Sequence, residues 1–473
     1  MRARTAARAA GVLALVLGAG CTVAPQPPPA SQLQTPAAWR AQPAAGDAPA
    51  VAPHWWRAFG DARLDALVAQ ALAHNSDLRV ARSRVAEYRA RLDVVQAAQA
   101  PALSANFAPS RSRARTSTGA VAETTLWQLG AQVSYEVDLW GRLDRLSDAA
   151  VADLQGQRAA ADAAALSIAA TVANGYLNLR GLDAQRELAQ ATLRSREDSL
   201  ARARRLYETG YTSRLEWVQA EGEYRTAAAA VPALRRAIAQ QENALALLSG
   251  ASPGTPDGEI ARGNPLAALA PPPLAGGVPS ELLRRRPDIA RAEQQLVAAD
   301  ASLAASREQL LPSLQLGVSG TLQGFTLDQL LRSPVHLWSV GGSLLAPVLQ
   351  GRRLQAGTEV AAALRDQALI GYEQVVRTAF SEVDNALSAI AALGAQLDEA
   401  RARAATANEA LRIARNRHRN GYASYLEELD AQRSSYAAEQ NTLQLQAALL
   451  SAHVDLYRAL GGGWVRERPG DAG

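Results

Sequence analysis

The chain contains no lysine; all 49 of its basic residues are arginine, set against 45 acidic ones. Among its 473 residues there are also only one cysteine, one methionine, four phenylalanines and five histidines. A lone cysteine, Cys21, excludes a disulfide framework and any multi-cysteine metal or redox centre. The histidines His54, His74, His336, His418 and His453 are dispersed, and there is no His-Glu-x-x-His pair, phosphate-binding loop or Gly-x-Ser-x-Gly elbow. The sequence therefore reads as that of a non-enzyme with no metal site. Net positive charge is scarce too once the first twenty residues are set aside. These hold Arg2, Arg4 and Arg8 and no acid, so 46 basic side chains face 45 acidic ones, and nothing favours a nucleic-acid partner.

The chain's opening segment places three arginines before the apolar run Ala9–Gly18, followed by Gly18-Ala19-Gly20-Cys21. The run is far shorter than the ~20 apolar residues of a spanning helix and has the layout of a secretory signal over residues 1–20. Its end resembles a bacterial lipoprotein lipobox, with Gly18 where that motif usually has leucine. The resemblance implies that Cys21 is acylated, and Thr22 in place of Asp implies the outer membrane. Residues 21–53, rich in Pro and Ala without apolar periodicity, read as an extended tether that makes no core.

What the chain has in abundance is repetition. Residues 75–106 align without a gap to 286–317, pairing Asp77 with Asp288 and Pro101 with Pro312. At the same offset, Gly210-Tyr211-Thr212-Ser213-Arg214-Leu215-Glu216 matches Gly421-Tyr422-Ala423-Ser424-Tyr425-Leu426-Glu427. Two distant matches at one offset indicate a tandem duplication. The first repeat is taken as 54–250, the second as 280–462, with a Pro- and Gly-rich connector at 251–279 and a tail at 463–473.

Each repeat is expected to begin with a helix, Ser76–Ala100 or Pro287–Leu311, stopped by the following proline. Two alternating stretches come next. From Trp127 to Leu139 the odd positions are mostly apolar and the even ones polar, as in a strand with two different faces. Its predicted partner runs from Leu103 to about Pro109, ahead of a polar loop at Arg111–Gly119. The second repeat offers Leu314–Leu322 and Trp338–Ala346. Four such strands fit a membrane wall, but an open edge in hydrocarbon leaves backbone groups unpaired at several kcal/mol each. Closure requires further copies: two chains give eight strands and three give twelve.

Long Pro-free helices, Arg142–Leu206 and Arg352–Arg417, follow the strands, each extending roughly 100 Å if unbroken. They turn at the Gly-Tyr motifs and return as Ser213–Leu248 and Ser424–Leu460, with Pro232 a candidate kink. Their many alanines and charged residues suit close-packed helices around a watery lumen better than a solid bundle.

With Trp55-Trp56-x-x-Phe59-x-Asp61, Ala71-Leu72-x-x-Asn75-x-Asp77-Leu78, the run Arg284 to Ile289 and both tip motifs, the chain resembles the outer-membrane factor family. Within these TolC-like channels it is most similar to the NodT/OprM-type efflux lipoproteins. The resemblance implies a mainly α chain with a membrane β portion. It implies a homotrimer, with a twelve-stranded β-barrel continued by a twelve-helix α-barrel, in the outer membrane of a Gram-negative bacterium. It further implies a passive exit duct for drugs or other small molecules, joined by a periplasmic adaptor to an inner-membrane RND pump, with no cofactor beyond the lipid on Cys21. In relatives the periplasmic tips close on rings of Leu and Asp. Carried over, those roles fall to Leu426 and Asp430, with Arg419 as a latch partner, and adaptor contact falls to Gly210, Tyr211, Ser213, Gly421, Tyr422 and Ser424. Two rivals remain. One is a type I protein secretion channel; the other is a periplasmic helical-hairpin adaptor or structural protein, which predicts one hairpin and no duplicated membrane strands.

Overall fold

A computed structural model describes residues 33–40, 51–272, 274, 279–347 and 349–465; the signal segment and Cys21 lie outside the described residues. The chain divides into two units, and no helix among the described residues is long and apolar enough to cross a membrane.

The first unit, Arg91–Ala152 with Leu296–Ile370, is built on an antiparallel sheet of β1 (Ala102–Phe107), β2 (Ser110–Arg115), β3 (Val121–Val137), β4 (Ser313–Gly324) and β5 (Val335–Leu345). β3 is its spine, with β1 and β2 on one side and β4 then β5 on the other. Four strand arms were expected, and four arms are present, the first in two pieces. The break falls at Ala108-Pro109, where proline has no N–H to donate, and Ala108 N bonds Gln128 O at 2.9 Å between the pieces. The polar stretch expected as a loop at Arg111–Gly119 instead remains strand to Arg115. Cross-strand ion pairs of Glu123 with Arg111 (2.8 Å) and Arg113 (3.6 Å) support it, and the reversal is confined to Thr116–Gly119.

The second unit, Leu33–Ala90, Asp153–Gln295 and Gly371–Gly473 as far as described, carries the hydrophobic core. The helices of the chain are α1 (Ala62–His74), α2 (Ser76–Ala97), α3 (Arg142–Glu208), α4 (Arg214–Leu248), α5 (Pro279–Arg285), α6 (Pro287–Glu308), α7 (Leu327–Arg332), α8 (Gly351–Arg419) and α9 (Tyr425–Ala459). α3 has 67 residues and α8 has 69, so both Pro-free stretches are continuous helices. α4 carries Pro232 inside it without ending. The short helices α1, α5 and α7 have no counterpart in the sequence reading, because six to thirteen residues span too few turns for a clear period.

In this unit Trp55 is buried and stacks on Tyr457 at 5.7 Å, while Tyr176, Leu179, Leu266 and Leu456 are fully enclosed. The tether also contributes to the core, contrary to expectation. Trp39 is buried edge-on against Phe380 at 6.1 Å, because one indole offers enough apolar surface to anchor an otherwise extended strap.

The duplicated helix starts have diverged in their wiring. Asn75 caps α2 through its side-chain oxygen, which accepts from Asp77 N and Leu78 N at 2.9 and 3.1 Å. At the matching position, Arg286 is buried and binds Asp288 at 2.6 Å, Glu382 at 2.7 Å and the Ala459 carbonyl at 3.0 Å.

Asp61 ties the connector to the core. Its Oδ1 accepts from Arg63 N and Leu64 N at the start of α1; its Oδ2 accepts from Tyr176 OH and Asn264 N, both at 2.9 Å. Burial and this carboxylate push the Tyr176 phenol up to about 12, so it stays a neutral donor. An amide offers one accepting oxygen where the carboxylate offers two. Asp61→Asn should therefore cost about 2 kcal/mol, read as a lower midpoint in denaturant melts of the detergent-solubilised protein. An unchanged midpoint would remove Asp61 from the core's supports.

His453 is buried in α9, with Nδ1 donating to the Leu449 carbonyl at 2.9 Å. Burial holds its pKa below the usual 6.5, so the unfolded chain binds the extra proton first as pH falls through 6.5. The native state accordingly loses stability on acidification below 6.5. Thermal melts at pH 7.5 and pH 5 should show a smaller acid loss for His453→Gln than for the wild type; equal losses would place the acid sensitivity elsewhere.

Candidate functional site: a two-faced sheet and paired helical tips

The register of the sheet sorts its side chains onto two faces. Odd positions of β3 pair with odd positions of β1 and even positions of β4, and the latter with even positions of β5. One face thus carries Leu103, Phe107, Trp127, Leu129, Val133, Leu316, Val318, Leu322, Trp338, Val340 and Leu344. Its polar exception, His336, lies level with Phe107 at one rim. The other face carries Ser104, Gln128, Gln132, Ser134, Gln315, Ser319, Thr321, Gln323, Ser339 and Ser343, with Leu126, Val335, Leu337 and Leu345 as its apolar exceptions towards the strand ends. There Ser319 and Ser339 hydroxyls meet at 2.8 Å, and Gln128 donates to Gln323 at 3.3 Å.

The apolar face is exposed, with Trp338 80% and Val340 69% accessible, which in water is a large unpaid hydrophobic cost and in lipid none. At about 3.4 Å per residue and a tilt of roughly 40°, Trp127 to Val137 rises about 26 Å, the height of an outer-membrane apolar band. At the outer edges, β1 and β5 have no further strand partner among the described residues.

Both hairpin tips, in the second unit, use one turn. Gly210 (φ +78°) and Gly421 (φ +76°) occupy the left-handed region. Tyr211 N bonds Leu206 O at 2.8 Å and Tyr422 N bonds Arg417 O at 2.9 Å, closing each helix in a Schellman motif. Tyr211 and Tyr422 are then left exposed, 83% and 78% accessible. Ser213 and Ser424 precede the return helices, but only Ser424 caps its helix with its side chain, accepting from Glu427 N at 3.4 Å.

Leu426 and Asp430 are four apart on α9 and both exposed, while Tyr425, Glu428 and Leu429 are buried. Arg419 is exposed too, and no carboxylate of its own chain lies within ion-pair distance among the described residues. Arg417 crosses the turn at its exposed side, to Glu427 at 3.6 Å.

Beneath this face lies a network that the sequence reading missed. Arg196 of α3 meets Glu223 of α4 at 3.7 Å and the Gln432 amide oxygen of α9. Arg433 Nε donates to Glu223 at 2.9 Å, and Gln432 donates to Glu428 at 2.7 Å. Arg415 of α8 approaches Glu428 at 3.5 Å, and His418 lies 3.7 Å from Glu216 and 4.0 Å from Glu428. Burial pushes the Tyr425 phenol up to about 12, so it remains neutral beside these carboxylates. The network joins the hairpins of both repeats. No local pattern announces it, because Arg196 and Gln432 are 236 residues apart and meet only through helix packing.

The same duplication is visible in comparison with known proteins. The model of the outer membrane efflux protein family matches residues 67–251 and again 278–462, two segments that start 211 residues apart. The chain belongs to the outer membrane efflux protein family. It is 35% identical over 474 residues to outer membrane protein OprJ of Pseudomonas aeruginosa, covering 97% of this chain and 96% of the relative. It is 32% identical to the cation efflux system protein CusC of Escherichia coli over 410 residues, 87% of this chain and 88% of that one. Among solved structures, the outer-membrane channel OprN superposes with a TM-score of 0.86 at 28% identity, covering 94% of this chain and all of that one. The open state of the Neisseria gonorrhoeae MtrE outer membrane channel gives 0.82 at 31% identity, over 94% and 98%. As a member of this family the chain is an outer-membrane efflux channel protein, and the single-hairpin periplasmic reading is set aside.

Proposed function

We propose that three copies of this chain form one exit duct of a tripartite efflux system, each supplying four strand arms to a common twelve-stranded barrel and two helical hairpins to a periplasmic tunnel. The observation that carries this reading is the exposed apolar face of a sheet with two unpaired edges, since only closure with further copies satisfies those edges in hydrocarbon. Cargo passes unmodified. The pump at the inner membrane supplies the energy, and a periplasmic adaptor docks at the tips, where Tyr211 and Tyr422 offer exposed aromatic surface.

At the tips, three copies of Leu426 narrow the axis and three of Asp430 gather negative charge there, favouring cations over anions until the helices part. Arg419 serves as a latch to a carboxylate of a neighbouring copy. Cys21 carries the lipid that, with the barrel, holds the chain in the outer membrane.

The test is mass and gel mobility of the detergent-extracted outer-membrane fraction, with single-channel conductance of the same material. A heat-sensitive species near three times the monomer mass that conducts ions supports the duct, and loss of a lipid mass increment in Cys21→Ala supports the anchor. A soluble monomer without conductance would refute the reading.

A further inference from the structure

Strand β2 and the facing part of β3 extend beyond the rest of the sheet, at the end opposite the strand termini that lead into the long helices α3 and α8. On β2 the residues at every second position are Arg111, Arg113 and Arg115, and their partners on β3 are Thr125, Glu123 and Val121. These β3 positions are odd, as are Trp127, Leu129 and Val133. The three arginines therefore continue the apolar face of the sheet, not its polar one.

Along that face the order is an apolar band, then an aromatic rim where Phe107 and Trp127 lie 6.0 Å apart, then the arginines. At about 3.4 Å per residue, Arg111 sits roughly 7 Å beyond Trp127 and Arg115 roughly 20 Å beyond it. Among the described residues Glu123 is the one carboxylate on this patch, pairing with Arg111 at 2.8 Å and Arg113 at 3.6 Å, and Arg115 has none within ion-pair distance. Arg111 and Arg113 keep more than seventy per cent of their side chains accessible, at 74% and 71%. Three guanidinium groups against one carboxylate leave an excess of positive charge immediately outside the hydrocarbon.

We infer that Arg111, Arg113 and Arg115 form a phosphate clamp for the phosphorylated glycolipid headgroups of the outer leaflet, gripping the membrane just above the aromatic rim. The inference rests on the outer-membrane channel reading, which sets the face that meets lipid and the end that points outward. Its physical basis is charge complementarity at headgroup depth: guanidinium forks match phosphate oxygens bidentately, and the low hydration of arginine favours such pairs at an interface. Glu123 pairs with Arg111 and Arg113, whose face the β2–β3 register sets, and so subtracts from the patch's charge. A sheet extension that existed only for hairpin stability would place its charges without regard to which face continues the apolar band.

The experiment reconstitutes the full chain into phosphatidylethanolamine bilayers doped with bisphosphorylated or dephosphorylated lipid A and quantifies lipid A retained after re-extraction. The wild type is expected to retain the bisphosphorylated form about tenfold better than the Arg111→Gln/Arg113→Gln/Arg115→Gln variant. Glu123→Gln should retain more than the wild type, the reverse of what loss of a structural ion pair predicts. Neither variant should change retention of the dephosphorylated form. Equal retention by the triple variant, or retention indifferent to phosphate, would overturn the clamp while conductance of the same samples leaves the channel reading intact. A wild-type chain that neither inserts nor conducts would overturn both.

Discussion

Val318→Arg should abolish assembly into the outer membrane, whereas Ser319→Arg, one residue along the same strand, should assemble and conduct. Val318 pairs with Val133 on one side and Val340 on the other, at mid-height of the apolar face. Arginine at that depth costs about 2–4 kcal/mol per strand position, or roughly 6–12 kcal/mol over three copies. That is comparable with the whole stability of an ordinary domain. Ser319 points the other way, with its hydroxyl 2.8 Å from that of Ser339 on the polar face. Arginine there meets water and adds three positive charges to the wall of the duct, which should move ion selectivity toward anions. Immunoblots of membrane fractions and reversal potentials under a salt gradient read the two effects. Equal loss of both variants would mean that the faces are not sorted between lipid and water as the register requires.

The second large effect is expected at the buried tip network. Glu428 accepts from Gln432 at 2.7 Å, lies 3.5 Å from Arg415 and 4.0 Å from His418, and is almost wholly enclosed. Glu428→Ala strands those partners, and removing one member of a buried ionic cluster costs about 3 kcal/mol or more. The cost falls on contacts joining the hairpins of the two repeats, so the tips should part more readily. The expected readout is a higher basal conductance and greater susceptibility of the host bacterium to bulky antibiotics that the closed duct excludes. Glu427→Ala is the control. Glu427 is exposed and pairs with Arg417 at 3.6 Å across 54% and 47% accessible side chains, an interaction worth about 0–1 kcal/mol. If both alanine variants leak alike, acidity at the tip surface and not the buried cluster controls opening.

Much of this architecture is legible in the sequence itself. The 211-residue offset that pairs Gly210 with Gly421 and Pro101 with Pro312 also separates the two segments matched by the family model. Alternation from Trp127 onward survives as an apolar and a polar face, because a strand's period of two is a property of its own backbone. Helix length was equally local: α3 and α8 run without interruption where proline is absent and alanine abundant.

What escaped depended on partners distant in sequence. Arg111–Arg115 looked like a polar loop until pairing with β3 made it a strand, since backbone hydrogen bonds and Glu123 outweigh a weak local preference. Trp39 lay in a segment without periodicity, and only the proximity of Phe380 made it part of the core. The tip network shows the same division most clearly. From the sequence alone, Leu426 and Asp430 could be put on one face of a helix by their spacing of four. Which residues lie beneath that face was decided by the packing of α3, α4, α8 and α9, which brings Arg196, Glu223, Glu428 and Gln432 together. Sequence determined the periods, the duplication and the turns, because these follow from torsional and steric preferences of neighbouring residues. Tertiary structure alone decided which charges are buried and paired, because desolvation and Coulomb energy depend on neighbours the chain meets only after folding.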